Sequence, residues 1–150
     1  MVVTALGNGN LQAICEFQKK FNLSLSADYI DFLLTMNGVV SQDDTTIKVA
    51  ILEQEIEIDS LFGINLQQSW LDVKTWMGKY ASELPENALI IGCDLLNNLI
   101  VMLESGEDAG IYYWDASYSF EESKDNSNAY FIAHSFQQFR EMLGDFIERK

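Results

Sequence analysis

The sequence predicts an α+β domain in which an antiparallel sheet of about five to six strands is flanked by N-terminal, middle and C-terminal helices. Three observations carry this. Apolar residues recur at helical spacing in three separated parts of the chain. Between and after them the apolar period drops to two. Short apolar runs in the second half are separated by Asn, Ser and Gly, the residues of tight turns.

Residues 1–9, MVVTALGNG, read as a loosely held, flexible arm, and residues 10–150 as the domain. Asn10 offers an N-cap, followed by Leu11, Ile14, Cys15, Gln18 and Phe21 at helical spacing. In the next helix Ser26 is placed to cap, Asp28 favours the positive end of the dipole, and Tyr29, Phe32, Leu33 and Met36 form one stripe. Asn37-Gly38 ends it, because glycine reaches left-handed backbone without a Cβ clash. Ile47, Val49 and Ile51 then alternate as a strand. A second strand follows, with Ile56, Ile58 and Phe62 on one parity and Glu55, Glu57 and Asp59 on the other. From Gln67 to Tyr80 helical spacing returns through Trp70, Val73, Met77 and Tyr80, and Leu84-Pro85 closes the segment.

A meander of three strands is predicted over Ala88 to Gly92, Leu99 to Leu103 and Ile111 to Asp115. LIVML lacks polar alternation, which places it centrally with both faces covered. Tyr112 and Trp114 share one face of their strand and Tyr113 and Asp115 the other, so only one set need be buried. Glu121 to Asn128 reads as a polar surface loop, and Tyr130 to Ile132 as a last short strand. Ser135 with Gln138 forms a capping box before a final helix, whose stripe is Phe136, Phe139, Leu143, Phe146 and Ile147, with Gly144 able to bend it.

With 150 residues, 48% of them hydrophobic, the chain suits one domain and is too apolar for a disordered polymer. No run approaches the ~20 apolar residues of a bilayer crossing. The first ten residues lack the basic and apolar regions of a signal peptide, so the chain reads as cytoplasmic. Nine Lys and Arg against 23 Asp and Glu give a net charge of −14. Such a chain repels nucleic acid and anionic membrane, and it attracts a basic partner. Cys15 and Cys93, far apart and in apolar surroundings, read as reduced and buried.

Motifs for phosphate cradling, nucleophile elbows, zinc proteases and dinucleotides are absent from the sequence. The single histidine, His134, adjoins Ser135, which is already used as a cap, and adjacent side chains rarely face each other; it reads as structural or exposed. Glu53, Glu55, Glu57 and Asp59 alternate, and on a strand they project from one face at roughly 6.5–7 Å. A solvated face, a surface for a basic partner, and a metal site are the three readings open to them. Between Lys79 and Lys124 no base interrupts Glu83, Glu86, Asp94, Glu104, Glu107, Asp108, Asp115, Glu121 and Glu122. The acid is segregated along the chain. Trp70, Trp76, Tyr112, Tyr113 and Trp114 could serve as core or as interface anchors.

Four segments together resemble the SUKH superfamily, which includes yeast cell-wall-synthesis regulators and many bacterial immunity proteins. LSADYIDFLLTMNG (Leu25 to Gly38) resembles its opening motif through Leu25, Asp28, Tyr29, Phe32, Leu33, Asn37 and Gly38. LPENALIIGCD, IYYWD and FIAHSFQQFREML follow in the family's order and spacing, so that the likeness spans roughly residues 11 to 144. Ser26 stands where the family has Pro, and His134 where it commonly has Asp. The resemblance implies a bacterial domain that works by binding protein: an immunity protein that occupies and neutralises a cognate toxin encoded nearby, frequently a nuclease. An acidic inhibitor suits such a partner, since nuclease sites accommodate phosphates. The expected contact residues are Glu53, Glu55, Glu57, Asp59, Glu104, Glu107 and Asp108, with no catalytic residue, no metal and no cofactor. Direct contact with nucleic acid or membrane is not expected. The alternative is a regulatory scaffold of the yeast type.

Overall fold

The computed structural model describes residues 1–115 and 129–149, and within them it holds four α-helices and nine β-strands. The α+β class and the mostly antiparallel pairing agree with expectation; the strand count exceeds it. In chain order the elements are β1 (Val2–Ala5), α1 (Leu11–Phe21), α2 (Ala27–Thr35), β2 (Val39–Ser41), β3 (Thr46–Val49), β4 (Gln54–Leu61), α3 (Val73–Tyr80), β5 (Ala88–Asp94), β6 (Leu99–Leu103), β7 (Gly110–Trp114), β8 (Ala129–Ala133), α4 (Phe136–Met142) and β9 (Ile147–Glu148). The sheet runs β8-β7-β6-β5-β4-β2-β1-β9, with β3 paired to β4 off this path. β4 is divided along its length. Its first half pairs with β3 and its second half with β2 and β5.

The extra strands lie mainly at the chain ends. Val2–Ala5, expected as a loose arm, is a strand between β2 and β9, and Val3 is fully buried. β9 replaces the end of the expected C-terminal helix. α4 stops at Met142, Gly144 takes φ 75°, and Ile147 is exposed on β9 rather than part of a buried stripe. Two further readings give way to 3-10 turns. Ala50–Leu52 ends the alternation of β3 and leaves Ile51 exposed, and Ser69–Leu71 precedes α3 and leaves Trp70 exposed. α3 therefore begins only after Asp72, whose carboxylate accepts from the Lys74 amide at 2.9 Å. The polar stretch Glu121 to Asn128 lies outside the described residues.

Capping explains the helix starts. The Asn10 side chain accepts from Ala13 N at 3.0 Å, and Ser135 Oγ accepts from Gln138 N at 3.1 Å. Gln138 closes the box one residue early, accepting from His134 N rather than Ser135 N. Ser26 makes no side-chain cap for α2. Its neighbour Asp28 instead accepts from the amide of Gln137 at 2.9 Å, so an acid at the start of α2 satisfies an open amide at the start of α4.

The core follows from the stripes. Tyr29 and Phe32 of α2 meet Phe136 of α4, each with ring centroids 5.1 Å apart. Elsewhere in the core, Phe62 stacks on Trp76 and Tyr80 packs edge-on against Trp114. β5 and β6 are buried along their whole length, as the unbroken apolar run in β6 predicts. On β7 only one face needed cover, yet Tyr113 and Trp114 point opposite ways and both are buried. Cys93 is buried beside Ser60, and burial pushes its thiol up; Cys15 is exposed, against expectation.

The Asn37-Gly38 pair does more than end α2. Asn37 sits at φ 48°, buried, and its amide side chain both accepts from Ile64 N and donates to Ile64 O at 2.9 Å. It mimics a strand partner for the segment after β4, and Gly63 leaves room for it, since a Cβ there would lie 1.9 Å from the Asn37 carbonyl oxygen. Asn37→Ala leaves both Ile64 groups unpaired in the interior. It should cost about 3 kcal/mol, read as a lower urea midpoint with an unchanged slope.

Candidate functional site

β4 carries its carboxylates as the alternation requires. Ile56 and Ile58 turn inward, while Glu55 is exposed and Glu57 half-buried on the outer face. The two flanking acids depart from the pattern. Glu53 precedes the strand, at φ 53° on the turn after Ala50–Leu52. Asp59 is the extra residue of a β-bulge between Ile58 and Ser60, and its carboxylate lies 3.9 Å from Cys93 Sγ. Across the β3–β4 pair, Thr46 stands opposite Glu57 and Lys48 opposite Glu55. Among the described residues, the side chains of Glu53, Glu55 and Glu57 have no hydrogen-bond or ion-pair partner.

Beside them stands the turn joining β5 to β6, fixed by Asp94. This carboxylate is buried and accepts from Leu96 N and Asn98 N at 2.9 Å and from Tyr113 Oη at 2.5 Å. Asn98 Nδ2 donates in turn to Tyr113 Oη at 2.7 Å. Burial, with the Asp94 carboxylate second, raises the Tyr113 phenol far above its ordinary value, so the phenol stays a donor. Leu95 N donates to the carbonyl of Glu57, tying the turn to β4. The turn so held presents Leu95 and Leu96 to solvent at 55% and 79% exposure. Glu55, Glu57, Asp94, Leu95, Leu96 and Tyr113 line one open groove of about 240 Å³.

Glu104, Glu107 and Asp108 are not part of this group. They follow β6, whereas Leu95 and Leu96 precede it, so the five residues of β6 hold the two sets apart by roughly 15 Å. The seven acids expected to act together therefore fall at two ends of the sheet. Glu107 is exposed, and the Asp108 carbonyl accepts from Tyr112 Oη. Glu104 is set into a recess between the starts of α2 and α4, with Asp28, His134 and Ser135. Glu104 Oε2 accepts from Ser26 N at 3.1 Å, while Oε1 is buried with no partner among the described residues. Burial first, and the charge of Asp28 second, push its carboxyl up from 4.5 to about 7. The Tyr29 hydroxyl is likewise buried and unpartnered, and its phenol is raised by burial and by Glu104. His134 is exposed and its ring packs on Phe131.

Sequence reading missed the two leucines and the function of Asp94. The signal was present in DLLNN, where two large apolar residues stand inside a turn. Among the described residues no group of three or more His, Cys, Asp or Glu side chains could hold a metal ion, and no helix is long and apolar enough to cross a membrane.

A family model described as SMI1 / KNR4 family (SUKH-1) matches residues 9–142. No curated protein matches the chain.

Glu104 makes stability depend on pH in a stated direction. The folded chain binds this proton more tightly than the unfolded chain. The group's favourable contribution is therefore complete below pH 4.5, declines as pH rises, and is lost above about 7. Glu104→Gln should match the parent near pH 4.5 and exceed it at pH 8 by about 1–2 kcal/mol, measured by urea unfolding at both pH values.

Proposed function

The chain belongs to the SMI1 / KNR4 family (SUKH-1), and from that premise we propose that it is a bacterial immunity protein of the cytoplasm. It binds a cognate toxin domain, basic and of nuclease type, and neutralises it by covering its site, without covalent chemistry of its own. The observation that carries this reading is the acid on β4, where Glu55 and Glu57 have no hydrogen-bond or ion-pair partner among the described residues. Four of the described cations have other partners. Lys20 lies over the ring of Phe21, Lys79 over Trp76 and Tyr80, and Arg140 over Phe146 while pairing with Asp145. Lys74 bonds to Asn65. Rings hold three of these charges, and Lys48 is the one base that β3 sets opposite the β4 carboxylates.

A surface of that kind acts on a basic partner in two ways. Over distance, unscreened carboxylates raise the encounter rate and orient the approach. At contact, they occupy the cations that a nuclease domain would use to hold phosphate. The β4 acids stand on a paired strand, so little ordering is needed on binding.

Co-expression with the product of the adjacent reading frame tests the reading. The two proteins should co-purify and killing of the host should stop; a toxic neighbour that neither binds nor is silenced overturns it. With that complex in hand, Glu55→Lys together with Glu57→Lys should slow association by about tenfold at low salt and flatten its salt dependence, read by stopped-flow at several ionic strengths.

A further inference from the structure

We propose that Leu95 and Leu96 are the apolar anchor of this contact, seating an aliphatic or aromatic side chain from a basic segment of the partner whose lysine or arginine lies against Glu55 and Glu57. The proposal rests on the reading above and adds to it the place and the kind of partner segment.

Exposed leucines usually need no explanation when they are single and scattered. These two are adjacent and share a groove with two acids that lack partners among the described residues. Their backbone is also fixed. Asp94 accepts from the amides of Leu96 and Asn98, and Leu95 N donates to β4. A mobile turn could fold its leucines back onto the sheet, whereas this one holds them outward. Binding energy then does not have to order the turn, and burial of apolar surface adds to affinity directly.

The juxtaposition also selects the occupant. Tyr113 and Ile56 form part of the wall, and Glu55 and Glu57 form the lip. A guest residue that is apolar at one point and cationic at the next fits both features. A second copy of the chain does not, because pairing two such grooves brings Glu55 and Glu57 of each against those of the other in a chain of net charge −14. A hydrophobic core ringed by charge is the common form of a binding hot spot.

The experiment uses the full chain and the adjacent-frame protein. Because both leucines are exposed, Leu95→Ser with Leu96→Ser should leave the thermal midpoint within about 2 °C of the parent. Affinity should fall by about 20-fold or more, through faster dissociation, with the salt slope of association unchanged. The charge-reversed β4 variant should show the opposite division between the two rates. Unchanged dissociation in the leucine variant, with the β4 variant still impaired, overturns the anchor and leaves the immunity reading standing. Absence of any complex with the parent overturns both. Self-association of the parent alone that the leucine variant abolishes assigns the leucines to a second copy and also overturns the proposal.

Discussion

The buried carboxylate of Asp94 is the constraint on which the candidate surface depends. A charge out of water is costly unless its lone pairs are filled, and here two turn amides and a tyrosine hydroxyl fill them. Those three donors come from both sides of the β5–β6 hairpin and from β7, so the one group sets the turn, the hairpin register and the position of Tyr113. Remove the carboxylate and three donors lose their acceptor at once. The exposure of Leu95 and Leu96 follows from this hydrogen-bond arithmetic.

Charge is distributed by a second device. The chain keeps few cations, and three of those described lie over aromatic side chains rather than beside the β4 acids. Carboxylate repulsion along the strand is then relieved chiefly by water and salt. At about 7 Å spacing and a Debye length of about 8 Å, that relief is partial. A face left in this condition gains free energy from any cation that approaches, and the gain is largest where the acids are fixed. Glu55 and Glu57 are on a paired strand and meet that requirement; Glu53 and Asp59, on a turn and a bulge, are placed by different constraints.

Much of this was legible in the residues. Asn10 and Ser135 cap as read, the LIVML strand is covered on both faces, and the β4 acids alternate with Ile56 and Ile58. What could not be read depends on contacts distant in sequence. β1 and β9 are short strands that pair with each other in parallel across nearly the whole chain, and two to four residues carry no period. Ile51 has the parity of Ile47 and Val49, yet the chain turns at Ala50, which no pattern of apolar residues records. The division of the acids into two groups is a matter of register. A strand between Asp94 and Glu104 was legible, but only the pairing of Ile58 with Asp94 shows that the β4 acids lie at the Asp94 end of β6 and not at the Glu104 end. The family motif was legible because its members are caps, turn residues and core rings, and those are the parts of a fold that leave local marks.

The two acidic ends also differ in kind, and this bears on which of them suits the basic partner proposed above. Glu104 is withdrawn into a recess, and with its carboxyl near 7 it holds its proton in about half of the molecules at neutral pH. Charging it means leaving Oε1 buried without a donor and within reach of Asp28. A cation docking there would have to supply that missing interaction from within the recess. On β4 nothing of the sort is required: Glu55 is exposed and Glu57 half-buried, neither has a partner among the described residues, and an apolar turn stands next to them to exclude water from the contact. Desolvation therefore weakens Glu104 as a steering charge, and exposure beside fixed leucines strengthens Glu55.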